Sequence, residues 1–178
     1  LSAYSMTAAK YTASEDIVIS VPVNTRDGNT RNTIGMFVNT ALLRLRPVRA
    51  MNAVGYLGEV QKAVSDYINE NRCPFDRLVA AFAEGRDSSR SLLSDLGVNY
   101  VPLTTAYSEN GVTLNTSYRL QPSGKDINLV MQVREQGIDC YLQYASALFD
   151  GTVIDNFIDQ FLSTAEKLCA DQPGTVGQ

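Results

Sequence analysis

Two runs of alternating apolar and polar residues near the end of the chain most restrict the folds that it can adopt. The runs cover residues 127–134 and 138–144, and Glu135, Gln136 and Gly137 separate them. Alternation with a period of two is typical of β-strands, and the short connection predicts that the two strands pair as a hairpin. One face of that hairpin would carry Ile127, Leu129, Met131, Val133, Ile138, Cys140, Leu142 and Tyr144. Such an apolar face needs a second layer of secondary structure to cover it.

Other segments predict further strands and the helices that would cover them. Strands are predicted at residues 17–21, 43–46 and 96–100. Pro22 is expected to end the regular pairing of the first strand. One amphipathic helix is predicted from the apolar residues Val54, Leu57, Val60, Val64, Tyr67 and Ile68. A second is predicted from Val153, Ile154, Phe157, Ile158, Phe161, Leu162, Ala165 and Leu168. Thr152 and Asp155 resemble a capping box at the start of the second helix. Together the segments predict an α/β fold with one mixed sheet and helices packed on one face.

Composition and charge exclude several classes of function. The 178 residues are 44% hydrophobic, which suits one globular domain. The net charge is −4 and no basic cluster is present, which argues against nucleic-acid binding. No apolar run approaches the roughly 20 residues that span a bilayer, so we expect a cytoplasmic protein with no membrane partner. Cys73, Cys140 and Cys169 lack the spacing of a zinc site or a disulfide framework, so no metal site is predicted.

The chain contains no histidine, which limits the chemistry that it can perform. Without histidine no Ser–His or Cys–His pair can activate a nucleophile, and the usual general base near neutral pH is absent. Carboxylates such as Asp16 and Asp27 could act as bases only if burial raised their pKa values; otherwise they are exposed or paired. We therefore predict no catalytic residue in this chain alone.

Residues 34–40 combine an apolar strand with two polar side chains. Their sequence is Ile-Gly-Met-Phe-Val-Asn-Thr, and a polar loop at residues 24–33 precedes them. Asn39 and Thr40 interrupt the apolar pattern, and buried polar groups need partners. They either bond to neighbouring backbone or line a channel. Gly35 suits either an ordinary tight turn or a place where backbone or ligand approaches closely.

Two further stretches stand out downstream. Residues 74–79 are Pro-Phe-Asp-Arg-Leu-Val, and residues 86–93 are Arg-Asp-Ser-Ser-Arg-Ser-Leu-Leu. In the first, the proline is predicted to initiate a helix and the phenylalanine to anchor it by packing rather than to line a pocket. In the second, the charged residues either form an ion-pair network or contact a substrate or a charged partner.

Taken in order, the three stretches resemble core motifs of the condensation domains of nonribosomal peptide synthetases. The family forms are Ile-Gly-x-Phe-Val-Asn-Thr, Pro-Phe-Glu-x-Leu-Val and Arg-Asp-x-Ser-Arg-Asn-Pro-Leu. The third stretch departs from the family by ending in Ser-Leu-Leu. Leu148, Phe149 and Asp150 also resemble the Leu-Phe-Asp before the last helix of the family. The family has two lobes, and this chain lacks the His-His-x-x-x-Asp-Gly motif of the first, so the resemblance covers the second lobe only.

The resemblance implies a C-terminal lobe with a chloramphenicol-acetyltransferase-like fold over residues 1–170, followed by a tail or linker at residues 171–178. The parent would join a donor thioester and an acceptor amine, both held on phosphopantetheine arms of carrier proteins. The implied partners are carrier-protein domains and an N-terminal lobe that carries the catalytic histidine motif. No cofactor would bind this lobe directly. Candidate motif, tunnel or interface residues are Gly35, Phe37, Asn39, Thr40, Pro74, Phe75, Arg86, Asp87 and Arg90.

Two alternatives stay open: a non-catalytic condensation-like scaffold or interaction domain, and an O-acyltransferase of the same superfold. Residues 24–33 and 103–120 are predicted to lie at the interface between lobes. Residues 1–10 resemble the interior of a helix without a cap, which predicts that the chain begins inside an element of a longer protein. An isolated lobe would expose the apolar face that meets its partner, so we expect self-association in isolation.

Overall fold

The computed structural model describes residues 1–47, 52–70, 73–82, 93–102, 107–110, 112–114 and 121–170. In these ranges the elements are α1 (Ser2–Thr12), β1 (Ile17–Asn24), β2 (Val38–Leu45), α2 (Ala53–Glu70), α3 (Phe75–Phe82), β3 (Leu96–Val101), β4 (Tyr107–Glu109), β5 (Val112–Leu114), β6 (Ile127–Arg134), β7 (Gly137–Tyr144) and α4 (Gly151–Ala170). Five strands form one sheet in the order β2-β1-β3-β6-β7, and β4 pairs with β5 separately.

The five-stranded sheet is mixed, as predicted. β1 runs antiparallel to β2 and parallel to β3, whereas β6 runs parallel to β3 and antiparallel to β7. Arg134 pairs with Gly137, so only Glu135 and Gln136 form the turn between β6 and β7. The hairpin predicted from alternation is therefore confirmed, and it places β7 at one edge of the sheet.

The hydrophobic core lies on one face of this sheet, where α1, α2 and α4 pack. Its buried members are Tyr4, Ala8, Ile17, Ile19, Leu43, Leu45, Tyr56, Val60, Val98, Ile127, Leu129, Ile154 and Phe157. The strand members occupy alternate positions because successive side chains of a strand point to opposite faces. Helices on one face of a mixed sheet are the predicted architecture.

Tyr4 lies at the centre of this core and ties three elements together. Its hydroxyl donates a hydrogen bond of 3.1 Å to the backbone oxygen of Ile127 in β6. Its ring meets Phe157 and Phe161 of α4 edge to face, with centroids 5.9 and 6.4 Å apart. Burial raises the pKa of Tyr4 well above its ordinary value, so the hydroxyl stays protonated and keeps this bond.

Pro22 does not end the pairing of β1, and that prediction is wrong. β1 continues to Asn24, and Pro22 pairs with Thr40 of β2. The pairing of β1 with β3 is confined to Ile19 and Ser20 of β1. Beyond Ser20 the strand is paired only on its β2 side, and a proline is tolerated where one side of a strand lacks a partner.

The predicted start of α4 is also wrong. The helix begins at Gly151, and the backbone oxygen of Asp150 accepts hydrogen bonds from the N–H groups of Val153 and Ile154 at 3.0 and 3.3 Å. Thr152 therefore lies inside the first turn, too late to cap it. Hydrogen bonds to the backbone oxygen of Asp150 thus pair two N–H groups of the first turn, where a capping side chain was expected.

The apolar stripe of α2 is rotated from the predicted one. Val54 and Ile68 are 49% and 57% exposed, whereas Tyr56 and Val60 are buried in the core. Ser5 and Tyr56 share a hydrogen bond of 2.7 Å between their hydroxyl oxygens. This bond pairs the polar tip of Tyr56, so the ring can be buried at a position that the apolar pattern did not include.

The connection after β3 contains a second, smaller sheet. In it, β4 and β5 form a short antiparallel hairpin, with Glu109 opposite Val112. Asn110 has a φ of 51° at the turn, a left-handed conformation that asparagine tolerates. Residues 103–106, 111 and 115–120 lie outside the described residues.

Candidate functional site

Arg26 organises the loop that leads into the first motif. Its guanidinium donates hydrogen bonds to the backbone oxygens of Thr30, Thr33 and Gly35 at 2.8, 2.7 and 2.9 Å. The same group lies 4.3 Å from the ring centroid of Phe37, in a cation–π contact. The planar fork of arginine can reach several acceptors in one geometry, so a single side chain fixes the path of the loop.

Short-range side-chain bonds support the start of the same loop. The side-chain oxygen of Asn24 accepts the N–H of Arg26 at 2.9 Å. The carboxylate of Asp27 accepts the hydroxyl of Thr30 at 2.7 Å and the N–H of Asn29 at 3.0 Å. These bonds lower the pKa of Asp27, the largest contribution coming from the Thr30 hydroxyl. Asp27 therefore stays ionised as a turn-forming residue and is unsuited to act as a general base.

Arg26 holds in place an apolar ridge, which we define as Ile34, Met36 and Val38. These side chains are 102%, 89% and 55% exposed. Gly35 separates the first two with a φ of 153°, a conformation that favours glycine. The motif predicted to be a largely apolar strand thus forms a strand only from Val38 onward, and its first half is an exposed loop.

Asn39 connects the first motif to the second. Its side-chain oxygen accepts the N–H of Phe75 at 3.0 Å, and its nitrogen donates to the backbone oxygen of Cys73 at 3.0 Å. The hydroxyl of Tyr67 lies 3.3 Å from the same nitrogen and donates to the backbone oxygen of Thr40 at 3.2 Å. Asn39 thus bonds to the backbone of a distant segment and not to neighbouring backbone.

Pro74 starts α3, as predicted. Its backbone oxygen accepts the N–H groups of Arg77 and Leu78 at 3.1 and 3.4 Å. Phe75 is half-buried, and no residue of α3 is fully buried. Contrary to our expectation from the sequence, Phe75 lines a cavity. Few buried contacts secure α3, so the bonds from Asn39 matter for its position.

That cavity, which we call the polar cavity, has a volume of about 330 Å³ and opens on the sheet face opposite the core. Its lining includes Ser20, Thr40, Phe75, Lys125, Asn128 and Gln143. Ser20 and Asn128 alternate with core residues along β1 and β6, so strand geometry directs them to this face. The cavity therefore brings motif residues Thr40 and Phe75 together with polar side chains from β1, β6 and β7.

A relay of carboxamides crosses the floor of the polar cavity. The nitrogen of Asn128 donates to the side-chain oxygen of Gln143 at 2.8 Å, and the nitrogen of Gln143 donates to the backbone oxygen of Gln121 at 2.7 Å. Lys125 lies beside them and donates to the backbone oxygen of Ser94 at 2.8 Å. Burial lowers the pKa of Lys125. The relay fixes both carboxamides in one orientation toward the cavity.

Asp16, which was also considered as a base, is paired with an arginine. Arg44 donates from its ε nitrogen to both carboxylate oxygens of Asp16, at 2.8 and 3.0 Å. This hydrogen bonding is the main reason that the pKa of Asp16 is lowered. The pair is exposed, so it adds little to stability and gives no sign of catalytic chemistry.

Within the described ranges, no three histidine, cysteine or acidic side chains lie close enough to hold a metal ion. None of the described helices is long and apolar enough to cross a membrane.

Sequence analysis identified part of this arrangement. Arg86, Asp87 and Arg90 lie outside the described residues, so their roles stay predictions. The residues that it missed are Arg26, Lys125, Asn128 and Gln143. A signal for Asn128 existed, since it interrupts an apolar strand and the hairpin register places it opposite Gln143. Arg26 carried no such signal, because its acceptors are backbone oxygens.

Replacing Arg26 by lysine is expected to loosen the loop while leaving the fold intact. A lysine keeps the charge but lacks the fork that reaches three backbone oxygens. We expect amide hydrogen exchange across residues 27–36 to rise about tenfold, equivalent to the loss of about one net hydrogen bond. The control is Arg31→Lys in the same loop. Equal exchange in both variants would show that Arg26 does not organise the loop.

Comparisons with known proteins agree with the family resemblance. The family model described as Condensation domain matches residues 1–177. Tyrocidine synthase 3 of Brevibacillus parabrevis is 32% identical over 176 residues, which is 97% of this chain and 3% of that protein. Surfactin synthase subunit 1 of Bacillus subtilis (strain 168) is 30% identical over 177 residues, 96% of this chain and 5% of that protein. The chain thus spans only a small part of these curated relatives.

Solved structures show the same fold. The holo form of AB3403, a four-domain nonribosomal peptide synthetase bound to AMP and glycine, matches with a TM-score of 0.79 and 22% identity over 97% of this chain and 14% of that one. The starter condensation domain of rhizomide synthetase RzmA matches with a TM-score of 0.72 and 18% identity over 97% of this chain and 41% of that one. The chloramphenicol-acetyltransferase-like fold is therefore confirmed.

Proposed function

Because this chain belongs to the condensation-domain family, we propose that residues 1–170 form the C-terminal lobe of a peptide-synthetase condensation domain and that residues 171–178 begin a linker. The extents of two matches support this proposal. The family model takes in nearly the whole chain, whereas the chain covers 41% of a solved condensation domain. A chain of this extent accounts for one of two lobes.

The proposed parent reaction is amide formation between two carrier-bound groups. The acceptor amine attacks the donor thioester carbonyl, a C–N bond forms, and the C–S bond breaks to release a thiol that takes up a proton. The N-terminal lobe would supply the catalytic histidine, since this chain has none. Carrier-protein domains would bring both groups on phosphopantetheine arms, and this lobe would bind no cofactor itself. A cytoplasmic location stays part of the proposal.

The role of this lobe is to orient substrates and to hold its partner lobe. Orientation of two reactants can contribute several kcal/mol to catalysis without any proton transfer. The polar cavity would form part of the tunnel wall in which the acyl groups meet. Thr40 and Phe75, from two separate motifs, both line it.

The observation that carries the proposal is the apolar ridge. Two exposed apolar side chains lie on the loop that Arg26 fixes by three hydrogen bonds, and the third, Val38, lies at the first position of β2. Exposed apolar groups that are held rigidly indicate a surface that another protein segment covers. We assign that segment to the N-terminal lobe, in agreement with the expected position of residues 24–33 at the interface between lobes.

The test measures binding between this chain and the segment encoded upstream of Leu1, expressed as a separate protein. The double variant Ile34→Ser and Met36→Ser is expected to weaken binding at least tenfold. Each buried apolar side chain contributes about 1.5 to 3 kcal/mol, and 1.4 kcal/mol corresponds to a factor of ten. Titration calorimetry would supply both dissociation constants.

The matched control is Leu162→Ser, which replaces another exposed apolar side chain on α4. It should leave the affinity unchanged. An upstream segment without the His-His-x-x-x-Asp-Gly motif would overturn the catalytic form of the proposal. Equal affinities of the double variant and the unmodified chain would overturn the assignment of the apolar ridge.

A further inference from the structure

We propose that the polar cavity selects an acyl chain that carries an amide group, and that Asn128 and Gln143 determine this specificity. The inference deepens the proposed function and rests on it, since it names the class of substrate that the tunnel wall would accept. Its basis is the set of hydrogen-bonding atoms that face the cavity.

The first step concerns atoms that point into the cavity. In the described part of the chain, neither the side-chain oxygen of Asn128 nor the hydroxyl of Thr40 has a hydrogen-bond partner. No side-chain polar atom that is fully buried in these ranges lacks a partner. Both atoms are therefore accessible, and both residues line the polar cavity. They are available to a ligand.

Hydrogen bonds fix the orientation of the two carboxamides. Each carboxamide nitrogen has two N–H donors. One donor of Asn128 is used on Gln143, and one of Gln143 on Gln121. The relay thus leaves one donor on each residue beside the free oxygen of Asn128. A donor and an acceptor held together in this way are complementary to an amide, which offers one of each.

Gly97 makes room for this arrangement. A Cβ atom at Gly97 would lie 2.4 Å from the side-chain oxygen of Asn128 and 3.3 Å from its carboxamide carbon. The absence of a side chain there allows Asn128, only 8% exposed, to keep its orientation. The polar group is thus fitted into the sheet, which distinguishes it from a polar residue on a solvated surface.

The remaining lining sets the size and character of the ligand. A volume of about 330 Å³ accommodates a short acyl chain. Pro22 and Phe75 supply apolar contacts for methylene groups. An alkyl chain of the same shape would bury the carboxamides without satisfying them, and a site that is built for hydrogen bonds rejects such analogues.

The experiment compares two probes on the full-length protein. They are the 4-carbamoylbutanoyl and 5-methylhexanoyl amides of amino-pantetheine, which have the same number and branching of heavy atoms in their acyl chains. Titration calorimetry is expected to show that the carboxamide probe binds about tenfold to a hundredfold more tightly. Asn128→Leu and, separately, Gln143→Leu should reduce this preference to less than threefold. Two variants are used because Asn128 lies in a central strand, whereas Gln143 lies in the edge strand β7.

Three results would overturn the inference. The first is equal binding of both probes by the unmodified protein, and the second is no detectable binding of either. The third is an equal loss of affinity for both probes in the leucine variants. That result would mean that the cavity holds the pantetheine arm, which both probes contain. Each of these results leaves the lobe assignment standing, because that assignment depends on binding between lobes.

Discussion

Replacing Phe157 by alanine is expected to lower the free energy of unfolding by about 3 to 5 kcal/mol. Phe157 is 2% exposed, and its ring contacts Tyr4 edge to face at 5.9 Å and Tyr11 at 5.1 Å. The substitution removes this buried area and leaves a cavity between α1 and α4 that close-packed neighbours can fill only in part. Guanidinium titration followed by circular dichroism and tyrosine fluorescence would measure the loss.

Leu162→Ala is the control for this prediction, because Leu162 lies on the same helix but is 49% exposed. We expect it to change the free energy of unfolding by about 0.5 kcal/mol or less, as for most surface substitutions. A loss below about 2 kcal/mol for Phe157→Ala would contradict the central position assigned to the contact between α1 and α4.

Local patterns were sufficient for much of the sheet. Ile127 and Leu129 alternate with polar residues, and a hairpin requires only that the next run of the chain folds back. The observed register, with Arg134 opposite Gly137, follows from the short turn. Such features depend on residues that are near in sequence, so the sequence was enough to predict them.

Features that depend on distant partners were not predicted. Whether Pro22 breaks β1 depends on how far β3 extends beside it, and that pairing joins residues that are 77 positions apart in the sequence, such as Ile19 and Leu96. The buried face of α2 likewise depends on Ser5, whose hydroxyl pairs with Tyr56. A hydrophobic pattern takes account only of the polarity of Tyr56 itself. It therefore gives no information about a hydrogen-bond partner in α1.

The candidate site shows the same division. Asn39 and Thr40 were recognised as polar residues in an apolar strand, but the partners of Asn39 lie 34 and 36 positions further on. Arg26 was missed because backbone oxygens have no sequence signature. The resemblance to a family thus drew attention to Asn39 and Thr40, and the structure shows what Asn39 contacts.

The two faces of the sheet separate stability from proposed function. One face packs α1, α2 and α4 through side chains such as Ile19 and Leu129, whereas the other face presents Ser20 and Asn128 to the polar cavity. Because alternate residues of a strand belong to opposite faces, residues that line the polar cavity can vary without disturbing the core. This arrangement suits a family whose members share a fold and would differ in substrates.

Replacing Asn39 by leucine is expected to release α3 from the sheet. The variant leaves the N–H of Phe75 and the backbone oxygen of Cys73 without their partner, and no residue of α3 is fully buried to compensate. We expect hydrogen exchange across residues 75–82 to rise about 30- to 100-fold, which corresponds to about 2 to 3 kcal/mol for local opening. Exchange in β6 should stay unchanged, because α3 can open without unfolding the sheet.

Asn39→Asp separates the two bonds that Asn39 makes to this segment. Aspartate keeps an oxygen that can accept the N–H of Phe75 but loses the donor to Cys73. The amide of Phe75 should therefore stay protected while exchange over the rest of α3 rises. Asn29→Leu is the control, since Asn29 is exposed in the loop ahead of β2. Unchanged exchange of α3 in Asn39→Leu would contradict a link between the two motifs, and α3 would then have to be held by contacts of Phe75 and its neighbours alone.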